Sequence, residues 1–164
     1  MNRPAGADFP ERARLQFLAR VIDRERRDLQ ITDQRLFVPA FGIEQARRLD
    51  ADLDLAERVE AFVARFGRLQ DTLGDKLLPQ LLRALQERPG TALDNLDRAE
   101  RLGWIESTDA WTAMRQLRNQ MVHEYIEDPA VLVNALERRH RFVPALLAAA
   151  DAMRQEMLRR GFLS

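Results

Sequence analysis

Apolar side chains recur every three or four residues along almost the whole chain, and no stretch alternates apolar and polar residues over many positions. The residues that dominate are Leu, Ala, Arg, Glu and Gln, which favour helices, whereas the β-branched residues are scarce. No apolar run approaches the roughly 20 residues that a membrane-spanning helix needs. The pattern therefore predicts an all-α fold, an up-and-down helical bundle of four main helices with one or two short ones.

Proline and glycine divide the first part of this pattern. Pro10 suits the first turn of a helix, so the first helix should begin near it. The segment 33–42 contains proline and glycine and predicts a loop. Because Phe37, Val38 and Phe41 lie in this segment, we expect the loop to pack against the core.

A long helix should follow, with a beginning near either Ile43 or Asp54 and an end near Leu78. Pro79 must end or kink it, since a proline inside a helix removes a hydrogen bond and clashes with the preceding turn. The core-facing stripe of this helix is unusually regular and consists of Leu55, Val59, Phe62, Val63, Phe66, Leu69, Leu73 and Leu77.

Capping residues mark the helices of the second half. Asp94 can cap a short helix that ends at Gly103, and Ser107 can cap the next one. The pair 128–129, Asp then Pro, is typical of a helix start and predicts a last helix with a kink at Pro144. We expect one domain over residues 1–164, of which residues 1–9 form a disordered leader.

Composition excludes several classes of site. The chain has 26 basic and 26 acidic residues, so its net charge is zero and it lacks the basic excess of a bulk nucleic-acid binder. It has no cysteine and only two histidines, which excludes thiolate and multi-histidine metal sites within one chain. The glycines are scattered and form no phosphate-binding loop. We therefore expect no metal and no cofactor, and a cytoplasmic protein without a membrane partner.

The segment that carries distinctive chemistry is 118–125. At about 100° per residue, Arg118, Asn119, His123 and Tyr125 fan out beside a core stripe that we expect to contain Met114, Leu117 and Met121. An imidazole can take the proton of an RNA 2′-hydroxyl near neutral pH, and a guanidinium can hold the phosphate that this oxygen attacks.

A purely structural interpretation of the same residues stays open. A single histidine near the end of a helix is more often packed or solvated than catalytic. The other histidine, His140, lies in a run of arginines and predicts a surface position.

The pattern of Arg118, four residues, His123, one residue and Tyr125 resembles the signature of HEPN domains, most closely the HepT toxin branch. Asn119 directly after the arginine also resembles that branch, and the stretch 66–76 is similar to the preceding helix of HEPN-like bacterial proteins. The resemblance implies a HEPN-like bundle that forms a homodimer in which the two motif helices face each other.

This resemblance also implies a function. Members of the family include metal-independent endoribonucleases, commonly toxins that cleave tRNA or mRNA, and HepT-type members belong to type VII toxin–antitoxin systems. It implies that Arg118 and His123 are catalytic, that Asn119 supports them, and that a nucleotidyltransferase antitoxin can transfer AMP to Tyr125. Because the net charge is zero, any grip on RNA must be local, and Arg65, Arg68, Arg115 and Arg118 are the candidates for it.

Two other interpretations are compatible with the sequence. Some HEPN domains are non-catalytic interaction modules or partner subunits of a nucleotidyltransferase, and the neutral charge favours this class. A plain structural bundle is the weaker alternative. The segment 1–50 is longer than a compact HepT-like protein requires, and nothing in the sequence assigns it a role.

Overall fold

The computed structural model describes residues 9–124 and 128–164; for Phe9 and residues 118–124 it describes the backbone alone. The predicted leader, apart from its last residue, lies outside this part. The described residues contain helices and turns but no strand, which confirms the all-α fold. The helices are α1 Phe9–Phe37, α2 Ile43–Arg47, α3 Leu53–Asp71, a π-helical segment Thr72–Leu77, α4 Leu78–Ala84, α5 Ala92–Arg101, α6 Thr108–Glu124 and α7 Pro129–Arg159.

Helix α1 is the central element, and both of its long neighbours run antiparallel to it. Contacts with α3 pair the C-terminal half of α1 with earlier residues of α3, as where Phe37 meets Phe62. Contacts with α7 follow the same order, since Arg26 pairs with Asp151 at 2.6 Å and Asp33 meets His140 further along α1. Both α3 and α7 therefore run antiparallel to α1.

The end of α1 differs from the prediction. The helix runs through Asp33 to Phe37, because Leu36 continues the buried stripe one heptad after Leu29. It stops there because Val38 precedes Pro39, and a residue before proline disfavours the helical conformation. Val38 is 73% exposed, so its predicted packing against the core is wrong, whereas Phe41 is buried as predicted.

The long helix begins at the later of its two predicted starts. Asp52 caps α3 by accepting a hydrogen bond from the Leu55 backbone N–H at 3.1 Å. The α-helix ends before Pro79, as predicted, but the chain stays helical through this proline. A π-helical turn, Thr72–Leu77, directly precedes the first turn of α4, where Pro79 lies. The wider turn accommodates a proline that would otherwise clash with the carbonyl four residues earlier.

Caps in the second half are mostly as predicted. Ser107 accepts from the Ala110 N–H at 3.1 Å, and Asp128 caps α7 by accepting from the Ala130 N–H at 2.9 Å. The predicted cap at Asp94 is wrong. Thr91 is the cap of α5, and Asp94, the third residue of the helix, is its reciprocal partner, which completes a capping box. Helix α7 continues through Pro144 without interruption.

Five aromatic rings connect the main helices through the core. Phe37 of α1 meets Phe62 edge-on at 5.2 Å, and Phe62 lies 6.1 Å from Phe66 within α3. Phe66 lies 6.2 Å from Phe142 of α7, which meets Trp111 of α6 at 6.1 Å. These ring contacts bring α1, α3, α7 and α6 together. None of the described helices has the length and apolar character to cross a membrane.

Two leucines of α3 test how strongly this core depends on packing. Leu69 is fully buried, whereas Leu53 is 72% exposed. Leu69→Ala should lower the free energy of unfolding by about 3–5 kcal/mol, because it removes buried apolar surface and leaves a cavity. The same substitution at Leu53 should change it by less than about 0.5 kcal/mol. Urea denaturation monitored by circular dichroism measures both, and equal effects would contradict the assigned burial.

Candidate functional site

The predicted site residues lie on the C-terminal half of α6. The backbone of this helix is continuous from Thr108 to Glu124 and includes Arg118, Asn119 and His123. Tyr125 lies outside the described residues. At a rise of about 1.5 Å per residue, the Cα atoms of Arg118 and His123 are about 7.5 Å apart along the axis. Helix α6 thus brings three of the four predicted residues within one and a half turns.

The N-terminal end of α6 is held by hydrogen bonds. In addition to the Ser107 cap, the Thr108 N–H donates to Oε1 of Glu100, on α5, at 3.1 Å. These bonds satisfy N–H groups that have no partner within the helix. The start of α6 is therefore tied to the end of α5.

Trp111 anchors the next turn of α6. Its side chain is 1% exposed and meets the edge of Phe142 on α7. Its backbone carbonyl accepts a hydrogen bond at 2.9 Å from Nε2 of Gln70, a buried amide on α3. Met114 and Leu117 are also buried. The first three turns of α6 therefore have a fixed position against α3 and α7.

The π-helical segment contacts the same part of α6 from another side. A Cβ added at Gly74 would lie 3.2 Å from both Nη2 of Arg115 and Nε1 of Trp111, so a glycine permits this close approach. The next residue, Asp75, accepts a hydrogen bond from Nη2 of Arg115 at 2.8 Å. Wide π turns frequently occur at functional sites, and this one contacts the helix that carries the predicted site.

The buried side of α6 includes Trp111 as well as Met114 and Leu117. Arg118 follows Trp111 by seven residues, which places the two positions within about 20° of each other around the helix axis. The register position of Arg118 is therefore on the side of α6 that contacts the core and the π-helical segment, and not beside it as the sequence predicted.

The arginines proposed for a local grip on RNA lie in different places. Arg65 donates from Nη1 to the hydroxyl of Thr32 and to the carbonyl of Asp28, both on α1. Arg68 lies on α3, and its charge acts on Glu25 of α1. Arg115 lies on α6 itself, one turn before Arg118.

His140 has a partner that the sequence did not indicate. Its Nδ1 lies 2.7 Å from Oδ1 of Asp33, and its ring stacks on Phe37 at 4.1 Å. The side chain is 44% exposed, so the predicted surface position is only part of its environment. Asp33 is 107 residues away in the chain, and no local pattern could have identified this pair.

Within the described part of the chain, no three His, Asp or Glu side chains group in a way that could hold a metal ion. Comparison with protein-family models, curated proteins and solved structures finds no match to this chain. The HEPN resemblance therefore depends on the residues of segment 118–125 and their helical context.

Glu25 has a clearly shifted pKa, and it contacts the start of the π-helical segment. Burial raises its pKa, and the hydrogen bond from Thr72 and the positive charges of Arg68 and Lys76 offset this only in part. Its Oε1 accepts from the Thr72 hydroxyl at 3.1 Å. Among the described residues, its buried Oε2 has no hydrogen-bond partner, which adds to the cost of ionising this group.

This shift predicts a pH-dependent effect of Glu25→Gln. The unfolded chain releases this proton near the ordinary value of 4.5, but the folded chain retains it to higher pH. The wild type therefore loses stability relative to the variant as pH rises from 4.5 through the raised pKa, and the difference is constant above it. Urea denaturation between about pH 4 and pH 7 measures this, with Glu57→Gln on the exposed side of α3 as the control for loss of a charge. A Glu25→Gln effect that does not vary with pH would contradict the prediction.

Proposed function

We propose that this protein is a HepT-like, HEPN-type endoribonuclease that cleaves tRNA or mRNA without a metal ion, as the toxin of a type VII toxin–antitoxin system. The observation that carries the proposal is the position of Arg118, Asn119 and His123 on one uninterrupted helix whose first three turns are anchored in the core. Asn119 and His123 are four residues apart, so their positions share one face of α6.

The chemistry uses one imidazole as a base and another as an acid. His123 takes the proton of the RNA 2′-hydroxyl, and that oxygen attacks the adjacent phosphorus. The bond from phosphorus to the 5′-oxygen breaks, and the 5′-oxygen receives a proton from a second imidazolium. The products are a 2′,3′-cyclic phosphate and a 5′-hydroxyl. Arg118 stabilises the negative charge that builds up on the phosphate oxygens during this step.

One chain supplies one copy of His123 and one of Arg118, whereas this mechanism uses two imidazoles. A homodimer in which the two α6 helices face each other would supply the second copy. The acid and the base would then be the same residue type in two protonation states, which exchange after each turnover. The zero net charge of the chain makes such a local site necessary, because the protein as a whole does not attract RNA.

Regulation would act through Tyr125. A nucleotidyltransferase antitoxin that transfers AMP to its hydroxyl would add a negatively charged group two residues after His123. That charge would repel the RNA phosphates, and its bulk would occupy the space between the two α6 helices.

The nuclease is tested with purified protein and tRNA in the presence of a chelator. His123→Ala should lower the cleavage rate by about 10²–10⁴-fold because it removes the general base. Arg118→Ala should lower it by a comparable factor, because it removes the charge that stabilises the transition state. The matched control is His140→Ala, which removes the other imidazole and leaves cleavage unchanged. The 3′ ends of the products should carry a cyclic phosphate.

Two results would contradict the nuclease: tRNA and mRNA that stay uncut by the wild type, or cleavage that survives His123→Ala. An inactive protein that binds a nucleotidyltransferase would support the non-catalytic partner subunit instead.

Modification is tested with a nucleotidyltransferase, taken from a neighbouring gene where one encodes it, and ATP labelled on its α-phosphate. The wild type should take up label and lose RNA cleavage. Tyr125→Phe should take up none and should still cleave RNA in the presence of that enzyme and ATP, because the phenol oxygen that accepts AMP is absent. Labelling of Tyr125→Phe would exclude this residue as the acceptor.

A further inference from the structure

Two N–H groups at the contact between α6 and the π-helical segment lack acceptors. They are Nε1 of Trp111 and Nε of Arg115, and both are buried without a hydrogen-bond partner in the part of the chain that the structure describes. Trp111 itself is 1% exposed. Buried donors without an acceptor are uncommon in proteins. Because both atoms are closed to solvent, a ligand would contact Arg115 through its other nitrogens.

These donors lie together because of Gly74. Both side chains approach this glycine, whose missing Cβ would stand 3.2 Å from Nε1 of Trp111 and from Nη2 of Arg115. The only hydrogen bond of Arg115 among the described residues is the one from Nη2 to Asp75. A guanidinium has five N–H donors, so most of the hydrogen-bonding capacity of Arg115 is unused.

Arg115 is also accessible, and it lies next to the proposed site. Its side chain is 29% exposed, so part of it faces solvent although its Nε is buried. Along α6, Arg115 precedes Arg118 by about 4.5 Å and His123 by about 12 Å. Arg65 is bonded to α1, and Arg68 lies beside the carboxylate of Glu25, so Arg115 is the arginine of these three that shares a helix with the proposed site.

We infer that Arg115 binds an RNA phosphate that flanks the one cleaved, with Asp75 holding the guanidinium in place and Gly74 admitting it to the contact. This inference rests on the proposed ribonuclease function. Arginine suits the role because its planar fork can donate two parallel hydrogen bonds to phosphate oxygens. Asp75 occupies one nitrogen and limits the side chain to few orientations, which lowers the entropy lost on binding.

The experiment measures RNA binding as a function of salt concentration. Binding is followed in the His123→Ala background so that the RNA stays intact, with a single-stranded RNA that the wild type cleaves. Each phosphate contact adds about 0.7 to the slope of log K against log salt for a single strand. Arg115→Ala should reduce this slope by about that amount and weaken binding about tenfold at low salt.

Two further variants complete the test. Arg20→Ala is the control, because Arg20 is an exposed arginine of α1 with no ion pair among the described residues, and its loss changes the net charge equally. Arg115→Lys keeps the charge but lacks the fork, so it should keep the slope and still weaken binding severalfold. It also covers the case in which thermal unfolding shows that Arg115→Ala does not fold.

The outcomes separate the inference from the function on which it rests. If the wild type cleaves RNA and Arg115→Ala matches Arg20→Ala in slope and affinity, the inference is wrong and the nuclease stands. If Arg115→Ala does not fold and Arg115→Lys binds as tightly as its parent, the inference is also wrong. A wild type that neither cleaves nor binds RNA would overturn both.

Discussion

The contact between Phe66 of α3 and Phe142 of α7 lies at the middle of a line of aromatic rings that joins the two halves of the bundle. On one side, Phe66 continues through Phe62 to Phe37 and so connects α3 to α1. On the other side, Phe142 meets Trp111 and so connects α7 to α6. Aromatic rings at these distances prefer edge-on or tilted arrangements. These contacts therefore favour particular orientations of the helices, which hydrophobic burial alone does not.

Two side chains of α7 contact this line of rings, one at its middle and one at its Phe37 end. The guanidinium of Arg139 lies 5.9 Å over the ring of Phe66, and its Nη1 donates to the carbonyl of Ala135 one turn earlier. His140 stacks on Phe37 and meets Asp33. These two consecutive residues of α7 therefore have different environments. Arg139 is buried in the core, whereas His140 is partly exposed and joins α7 to α1.

Much of this arrangement could be predicted from residue spacing, because helix periodicity and caps are local properties. The stripe of α3 and the caps at Ser107 and Asp128 depend on residues a few positions apart, and they are confirmed. The capping box of α5 is also local, but Thr91 and Asp94 both suit a cap, and only the backbone decides between them.

What could not be predicted depends on distant contacts. The π-helical segment directly precedes Pro79 and packs against Trp111, about 37 residues after Gly74. The regular spacing of leucines in this region does not predict the wider turn. The Asp33 and His140 pair spans two helices in the same way. For segment 118–125, spacing could predict a shared helix, and the α6 backbone confirms this up to Glu124. Spacing could not indicate that Trp111 meets Gly74 and Phe142, because these partners lie on other elements of the chain.

The position of the candidate site on α6 follows from where the anchoring contacts lie. Gln70, Gly74 and Phe142 all contact α6 at Trp111 or Arg115, before the polar residues of the segment begin. A side chain that must bind and release a large anion gains from a rigid base, because the precision of a site depends on the element that carries it. The same contacts leave Arg115 with one acceptor and several unused donors at the boundary between the anchored turns and the polar ones. A helix fixed in its first half and polar in its second therefore provides a defined starting geometry for the proposed site.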